Sequence, residues 1–554
     1  AGTRRALKTP MRAAEAMGRA LVQMGVRDFF GLVGSGNFHL ANALQANGAR
    51  FVAARHETGA VTMADAYARA SGRPGVVTVH QGPGVTNALT GLTEAAKSRT
   101  PLLLLAAEAT APLSNFFIDE AGLAGVAGAV HRRLSAPGFA VAEVAEAVRI
   151  AVAERKTVLL SVPLEVQAGE CEVPSGLPDM TGPHGRPACA SDIEALARLL
   201  ASAERPLLLA GRGAVLSSAR APLEQLAEQT GALLTTSAVA YGLFAGSPWY
   251  LGISGGFASP WAAELIHASD VVVVFGASLN MWTTRSGHLL GPATKVAQVD
   301  VDPHAVGAHR PVDLALVGDV AATATALSEA LGEHRAGGRR NDEMARRIRH
   351  GGWREQPFED VSGNGRIDPR TLSIALHGLL PQERTLAVDS GHFMGWAPMY
   401  MDVPDGRSFV FTQSFMSVGL GLATGIGAAI GRPDRPTVIA LGDGGALMGL
   451  PELETLGRLG LDAIVVVYND ASYSAEVHHF APEQAPMDTV RFPETDFAAL
   501  ARAVGLEAAT IQSAADLEVV RDWLDRGRPT PLLLDAKVVP TVVAEWLEEA
   551  FRGH

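Results

Sequence analysis

The sequence is poor in cysteine and in basic charge, and it contains no long apolar run. Its two cysteines, Cys171 and Cys189, exclude a disulfide framework or a cysteine-rich zinc module in a chain of 554 residues. The 46 basic residues are outnumbered by 58 acidic ones, so the net charge is -12 and a nucleic-acid partner is not expected. Because no uninterrupted apolar stretch reaches about 18 residues, we expect no membrane span. The N-terminus lacks the apolar core of a signal peptide, and a reduced, cytoplasmic setting is expected.

What the sequence has in abundance is apolar side chains, 47% of the total, arranged in a repeating pattern. Short apolar runs such as Val76–Val79, Asp270–Phe275 and Ala463–Tyr468 alternate with longer helical patterns. Continuous apolar strands between helices are typical of parallel sheets that are covered on both faces. The sequence therefore predicts an α/β protein whose domains are doubly wound parallel sheets.

Two stretches of unusual composition divide the chain into blocks. One stretch, around 168–187, is rich in glycine and proline, and the other, around 332–365, is densely charged. Such stretches are typical of linkers. The predicted organisation is three doubly wound domains and one linker: domains at 1–180, 190–335 and 366–554, and the linker at 336–365.

Two acidic residues follow apolar strands in the last block. Asp443 lies within Gly442–Ala446, and Asp470 follows the next strand pattern. Open parallel sheets bind ligands at the carboxyl ends of their strands, and a helix start, predicted after Gly445, favours an anion. Mg²⁺ prefers to bridge such carboxylates and a diphosphate. The alternative is a strand-end aspartate in an ordinary turn.

The spacing of these residues adds specificity. Asp470 comes 27 positions after Asp443, and Asn469 precedes it. This arrangement resembles the Gly-Asp-Gly…Asn-Asn motif of thiamine diphosphate (ThDP) enzymes. The resemblance implies Mg²⁺ held by the side chains of Asp443 and Asp470 and by the backbone carbonyl of Ser472. This chain has Asp470 where the family usually has Asn, which puts the choice of metal in question. The glycines Gly442, Gly444 and Gly445 allow close backbone approach to phosphates, and Tyr473 is expected to contact the cofactor.

The first block resembles the complementary half of the same family. Arg55–Ala60 and His80–Asn87 are similar to the pyrimidine-binding domain of the acetolactate synthase-like and benzoylformate decarboxylase-like branch. Glu57 falls on the family's glutamate. The resemblance implies that Glu57 binds the cofactor and takes part in catalysis. A carboxylate bonded to N1′ of the aminopyrimidine favours the tautomer that removes the C2 proton of ThDP.

Further cofactor contacts are implied in the last block. Before Gly419-Leu420-Gly421, Val418 falls where the family has an apolar wedge between the two cofactor rings, and Met416 is the other candidate. The Met416 carbonyl would bond the amino group of the cofactor. The segment Asp389–His392 ends another strand, and its residues Gly391 and His392 are expected to contact the diphosphate. The three domains are thus interpreted as pyrimidine-binding, central and diphosphate-binding.

The central block resembles the domain that holds FAD in acetolactate synthases. The turns Gly211-Arg212-Gly213 and Gly276-Ala277-Ser278 carry this resemblance, and Gly211-Arg212-Gly213 alone is a weak phosphate signal. FAD-binding members commonly have arginine where this chain has Ser278. FAD is therefore a possible cofactor that the sequence does not favour.

Several polar residues are candidates for handling protons at the reacting carbon. His80 stands near the position of a proton-shuttling histidine in decarboxylases of the branch, and Glu476 falls where related decarboxylases carry an acid. His478 and His479 follow closely. The alternatives are a loop histidine tied to backbone for His80 and an exposed helix face for the other three.

The expected function is ThDP- and Mg²⁺-dependent decarboxylation of a 2-oxo acid with carboligation to a second carbonyl, a transferase activity. Two alternatives stay open: a simple decarboxylase, which is a lyase releasing an aldehyde, and a cofactor-binding relative without turnover. A dinucleotide oxidoreductase is disfavoured because Gly31–Gly36 has the wrong glycine spacing. The family resemblance also implies a homodimer or homotetramer with active sites between subunits.

Overall fold

The computed structural model describes residues 11–172, 185–334 and 339–547. The edges of the predicted domains and linker at 1–10, 173–184, 335–338 and 548–554 lie outside the described residues. Within them, three six-stranded parallel sheets follow one another along the chain. No helix in the described ranges is long and apolar enough to span a membrane. The predicted fold class, α/β with three doubly wound parallel-sheet domains, is confirmed, while the exact domain boundaries stay predictions.

The N-terminal domain has a six-stranded sheet of order β3-β2-β4-β5-β7-β6, and a short antiparallel pair joins its ends, β1 and β8. Its strands are β1 (Met11–Arg12), β2 (Asp28–Gly31), β3 (Arg50–Ala53), β4 (Gly75–Val79), β5 (Leu102–Glu108), β6 (Val130–Arg133), β7 (Thr157–Pro163) and β8 (Glu170–Cys171). Its helices are α1 (Ala13–Gln23), α2 (Phe38–Ala46), α3 (Glu57–Ser71), α4 (Pro83–Lys97), α5 (Glu120–Ala127), α6 (Ala140–Ala153) and α7 (Leu164–Ala168).

The central domain has the sheet order β11-β10-β9-β12-β13-β14, the arrangement of dinucleotide-binding folds. Its strands are β9 (Pro206–Ala210), β10 (Leu233–Thr236), β11 (Tyr250–Ile253), β12 (Val271–Phe275), β13 (Lys295–Asp300) and β14 (Leu314–Val317). Its helices are α8 (Ala190–Ala201), α9 (Arg212–Leu216), α10 (Arg220–Thr230), α11 (Pro260–His267), α12 (Met281–Thr284) and α13 (Val320–Leu331), and the linker contributes α14 (Asp342–Arg349).

The C-terminal domain has the sheet order β16-β15-β17-β18-β20-β19. Its strands are β15 (Thr385–Val388), β16 (Phe409–Phe411), β17 (Thr437–Gly442), β18 (Ala463–Asn469), β19 (Glu507–Ile511) and β20 (Leu532–Lys537). Its helices are α15 (Pro369–Leu379), α16 (Trp396–Tyr400), α17 (Gly421–Gly431), α18 (Asp443–Met448), α19 (Pro451–Leu459), α20 (Ser474–Phe480), α21 (Phe497–Ala503) and α22 (Glu518–Asp525). Single 3₁₀ turns occupy Pro137–Phe139, Ala238–Ala240, Trp353–Glu355, His392–Gly395, Ala481–Glu483 and Ala514–Leu517.

The N- and C-terminal domains share one apolar core. Met63 of α3 and Ile426 of α17 belong to the same buried cluster. The two helices approach closely at Gly427, where a Cβ atom would lie 2.1 Å from the Met63 carbonyl oxygen. Only glycine leaves room for this contact, so the sequence of α17 fixes how the two domains meet.

Candidate active site

The acidic half of the candidate site lies where β17 and β18 end side by side. Gly442 pairs with Tyr468 in register, which brings the residues that follow, Asp443 and Asp470, to the same sheet edge. Asp443 is buried, and its two carboxylate oxygens accept the backbone N–H groups of Gly444 (2.7 Å) and Ala471 (2.6 Å). This carboxylate therefore ties the end of one strand to the loop after the next.

The two carboxylates of this edge repel each other. Burial, together with the charge of Asp470, raises the pKa of Asp443 to about 7. Burial also raises the pKa of Asp470, whose oxygens accept the hydroxyls of Ser472 (3.1 Å) and Ser474. A divalent cation between the two carboxylates would relieve this repulsion, and oxygen ligands suit Mg²⁺. The donor set thus fits the metal that the sequence predicts.

The predicted start of the helix after β17 is wrong by three residues. The sequence placed it after Gly445, but α18 begins at Asp443. Gly442 is extended (φ -86°, ψ 158°) and caps the helix, so the chain passes from strand to helix without a loop. Gly444 consequently lies in the first turn, where a Cβ atom would come within 2.5 Å of the Tyr473 ring.

The segment predicted to hold the cofactor's rings crosses over this edge. Val418 is half-buried, and its Cγ1 atom lies 3.2 Å from the position that a Cβ atom would take on Gly445. Met416 is 38% exposed and has a positive φ of 61°. Gly419 follows, and its N–H donates to the Asp389 carboxylate (3.1 Å). The structure therefore brings one wedge candidate, Val418, close to Gly445, one of the predicted diphosphate glycines.

His392 is one of the buried residues among the predicted cofactor contacts. It is buried, and its Nε2 accepts the backbone N–H of Ala544 (2.8 Å). Burial, aided by His478, lowers the pKa of His392 to about 3. The neutral ring of His392 packs against the ring of His478 on α20, with ring centroids 4.5 Å apart. Gly391, just before it, has a φ of 137° that favours glycine. Their role at a diphosphate stays a prediction.

The proton-handling candidates of α20 differ in position. Glu476 is exposed, whereas His478 and His479 are half-buried. His478 faces His392, and His479 packs edge-on against Phe480 with ring centroids 4.5 Å apart. The helix therefore turns His478 toward the strand-end edge.

Glu57 begins helix α3 on the N-terminal domain. The preceding backbone N–H groups of Arg55 and His56 both donate to the buried carboxylate of Glu452, at 3.0 Å each. Glu57 itself is half-buried, and its Oε2 accepts the side-chain amide of Asn87 (3.1 Å). The C-terminal domain thus anchors the helix start and leaves the Glu57 carboxylate on a partly open face.

His80 lies beside Glu57 at the end of β4. A Cβ atom on Gly84 would lie 3.6 Å from Glu57 Oε1 and 3.4 Å from His80 Cβ, so the first turn of α4 runs between the two side chains. Nδ1 of His80 accepts the N–H of Gly36 (3.2 Å), and its ring meets Phe116 edge-on at 5.2 Å. In the tautomer that fits this bond, Nε2 carries the hydrogen and can donate a hydrogen bond.

A large cavity of about 1880 Å³ lies at the carboxyl edge of the central sheet. Gly213 and Ser278 line it from the two sides of the point where the strand order reverses. It extends to Ser414 and Met416 of the C-terminal domain. Nucleotides bind at this point in folds of this topology. The sequence does not favour FAD, and that expectation stays a prediction.

Comparison with known proteins decides the family. The chain matches the thiamine pyrophosphate enzyme models for the N-terminal TPP binding domain at residues 11–123, the central domain at 193–327 and the C-terminal TPP binding domain at 389–535. The chain belongs to the thiamine pyrophosphate enzymes. Each matched range holds one of the three parallel sheets or most of one.

The relatives of this thiamine pyrophosphate enzyme carry two kinds of name. It is 29% identical to a sulfoacetaldehyde acetyltransferase of Rhodobacter capsulatus, over 98% of this chain and 96% of that protein. A second sulfoacetaldehyde acetyltransferase, of Castellaniella defragrans, is 28% identical over 92% and 89%. An acetolactate synthase large subunit of Parasynechococcus marenigrum is 27% identical over 95% and 87%. These similarities support the acetolactate synthase-like branch.

In this thiamine pyrophosphate enzyme, three acidic residues hold distant segments of the backbone together, and the sequence did not predict these contacts. Glu452 holds the start of α3, Asp389 holds Gly419, and Glu94 of α4 holds residues beyond β16. Each accepts backbone N–H groups from a segment distant in the sequence. No local motif marks such a contact. Asp389 was noted only as part of a strand end, and its burial and its partners became visible in the fold.

Proposed function

We propose that the protein catalyses ThDP- and Mg²⁺-dependent decarboxylation of a 2-oxo acid, with transfer of the remaining carbon unit to a second carbonyl compound. The observation that carries this proposal is the pair of carboxylates at one strand-end edge of a TPP binding domain, the buried Asp443 and the half-buried Asp470. Bound ThDP supplies a carbon nucleophile that adds to 2-oxo acids. The chain's own residues hold the cofactor, orient the substrate and move protons.

The roles of individual residues follow from their positions. Asp443, Asp470 and the Ser472 carbonyl would hold Mg²⁺, and Val418 and the Met416 carbonyl would support the cofactor's rings. Glu57 would bond N1′ of the aminopyrimidine and set its tautomer. Cofactor-binding contacts of Gly391, His392, Gly442, Gly444, Gly445 and Tyr473 belong to the same proposal.

Transfer to an acceptor is favoured over simple release of an aldehyde. Relatives named acetyltransferase and synthase over nearly the whole chain support it. In a transferase, His80 and His479 would position the acceptor. In a decarboxylase, the same histidines or Glu476 would protonate the product carbon. Glu476 is exposed in the structure, which is a weaker position for a proton donor.

We also propose that two copies of the chain complete each site. Large apolar side chains are exposed around the Glu57 region, including Phe116 (40%) and Phe117 (44%), and around the Asp443 region, including Met448 (54%) and Leu447 (39%). Exposed apolar patches of this kind favour protein contacts. A homodimer, or a homotetramer built from two dimers, would cover both regions at once by two-fold symmetry.

The test is a substrate panel with purified protein, ThDP and Mg²⁺. Pyruvate and other 2-oxo acids are offered alone, then with a second 2-oxo acid, aldehydes or sulfoacetaldehyde as acceptor. Evolved CO₂ and products are followed by mass spectrometry. We expect CO₂ release that depends on both cofactors, and a product that contains the acceptor. A free aldehyde as the main product would favour the decarboxylase. ThDP binding without CO₂ from any donor would contradict the proposal and favour a relative without turnover.

Asp470→Asn is a direct test of the unusual metal ligand. It restores the residue that the family usually has and removes one charge next to Asp443. We expect the affinity of the ThDP-free protein for Mg²⁺ to fall on the order of tenfold, because ligand charge sets cation affinity. Activity at saturating Mg²⁺ and ThDP should remain. Isothermal titration of the metal measures the change, and a full loss of activity would mean that the carboxylate has another role.

A further inference from the structure

The loop Ser414–Leu420, which carries both ring-holding candidates, is held at its two ends by buried carboxylates. At its end, the Asp389 carboxylate accepts the N–H groups of Gly419 (3.1 Å) and Leu420 (3.2 Å). At its start, Glu94 accepts the N–H groups of Ser414 (3.1 Å) and Phe415 (2.6 Å). Asp389 belongs to the same domain as the loop, whereas Glu94 reaches it from the N-terminal domain.

Glu94 is a fully buried residue on α4 and its two oxygens have separate partners. Oε1 accepts from Ser414 N, from Arg69 (2.9 Å) and from the Ser98 hydroxyl (3.0 Å). Oε2 accepts the N–H of Phe415. A charged acceptor makes the stronger class of hydrogen bond, and the guanidinium of Arg69 balances its charge. The loop contact is thus made by a carboxyl group that is paired with a guanidinium and fixed in orientation.

Arg69 fixes that orientation. It bonds both oxygens of Asp65 (2.8 and 2.5 Å) and donates to the Phe411 carbonyl (2.8 Å) at the end of β16. The guanidinium of Arg69 is therefore bonded both to Glu94, which holds the loop, and to the end of β16, the strand that leads into the loop.

The residue after Phe415 needs such support. Met416 has a φ of 61°, a left-handed conformation that a non-glycine residue keeps only where its surroundings determine it. Its side chain is 38% exposed, so packing of that side chain does not fix the backbone. The nearest restraint on the chain is the bond from Phe415 N–H to Glu94.

We propose that Glu94 is a positioning residue, which sets the backbone of Phe415 and Met416 so that the Met416 carbonyl meets the amino group of ThDP. This inference rests on the proposed function. Glu94 itself touches neither cofactor nor substrate, and it acts through the loop. Its contribution is a loop that is ordered before the cofactor arrives, which lowers the entropic cost of binding.

Glu94→Gln separates positioning from a general structural role. The amide oxygen can keep the Oε1 partners, Ser414, Arg69 and Ser98. The amide NH₂ then replaces Oε2 and points a donor at the N–H of Phe415. The variant therefore breaks one bond of the loop and leaves the anchoring of Arg69 to Asp65 in place.

The first measurement is hydrogen–deuterium exchange of the cofactor-free protein, read by mass spectrometry on a peptide that covers 412–420. We expect exchange at the loop to rise roughly tenfold in Glu94→Gln, as for the loss of one hydrogen bond to a charged group. The second measurement is a ThDP titration followed by tryptophan fluorescence, for which we expect an apparent Kd raised to a similar extent. C2 proton exchange of bound ThDP should slow as well.

Asp368→Asn is the matched control. Asp368 is also fully buried and paired with an arginine, Arg370 (2.6 Å), but it lies at the start of α15. The Asp368→Asn variant should have the same hydrogen–deuterium exchange at the loop and the same ThDP affinity as the wild type. If Glu94→Gln does not fold, Glu94→Asp replaces it: the charge remains, the carboxylate is drawn back from the loop, and the expected direction is the same.

Two outcomes would overturn the inference. One is a folded Glu94 variant whose loop exchange and ThDP affinity both match those of the wild type. The other is an equal change in Asp368→Asn, which would reduce Glu94 to a general stabilising role. Failure of the proposed function looks different: the wild-type protein would then bind no ThDP, while loop exchange would still report whether Glu94 holds the loop.

Discussion

Glu57→Gln is expected to leave the fold and ThDP binding nearly intact while slowing C2 proton exchange of the bound cofactor by about 10²–10⁴-fold, the usual contribution of acid–base catalysis. The reason is that Gln cannot hold the N1′ proton as a carboxylate does. Helix α3 should persist because its start is anchored by Glu452 through the N–H groups of Arg55 and His56, which the substitution does not touch. Exchange is measured by proton NMR on cofactor released by acid quench from deuterated buffer.

A control for this variant is Glu15→Gln, an exposed acid in the first turn of α1 on the same domain. It should match the wild type in exchange and in turnover. Full exchange in a folded Glu57→Gln protein with bound ThDP would refute the role that we propose for Glu57. Loss of ThDP binding together with loss of secondary structure would instead mark a folding defect.

The second large effect is expected from Asp443→Asn. The apparent affinity for ThDP in the presence of Mg²⁺ should fall about 100-fold or more, since removing a direct metal ligand costs at least as much as removing a supporting group. The cofactor-free protein should unfold at nearly its normal temperature, because the carboxylate is a destabilised charge there: burial raises its pKa to about 7. Thermal unfolding with and without ThDP and Mg²⁺ measures both quantities.

Asp462→Asn is the control for that experiment. Asp462 pairs with Arg528 (3.2 Å) just before the amino end of β18, at the opposite edge of the same sheet from Asp470. Its variant should keep the rise in unfolding temperature that ThDP and Mg²⁺ give the wild type. If Asp443→Asn also keeps that rise, the metal site proposed here is wrong.

The sequence was informative wherever a strand and its following turn are continuous in the chain. The strands β17 and β18, with Asp443 and Asp470 at their ends, were predicted because apolar runs and glycines are local signals. The helix after β17 was placed three residues late, because nothing in Gly-Asp-Gly-Gly indicates that the helix starts without an intervening loop.

Residues that act across the fold were not predictable in this way. Glu94 meets Ser414 over a separation of 320 residues, and Glu452 meets Arg55 over 397. Neither carboxylate belongs to a periodic pattern or motif, so each looked like an ordinary helix charge until the domains were assembled. The cavity of the central domain was hidden for the same reason, because strand order cannot be read from apolar runs alone.

The strand orders of the outer domains carry one more consequence. When the strands of each six-stranded sheet are numbered in chain order, both outer sheets have the order 2-1-3-4-6-5. In both, the first and third strands are neighbours, and they lead to Gly36 and His80 in one domain and to Asp389 and Asp443 in the other. A single ancestral unit, duplicated within one gene, is the simplest origin of this pairing. The same two strand ends now lead to a histidine in one domain and to two buried aspartates in the other.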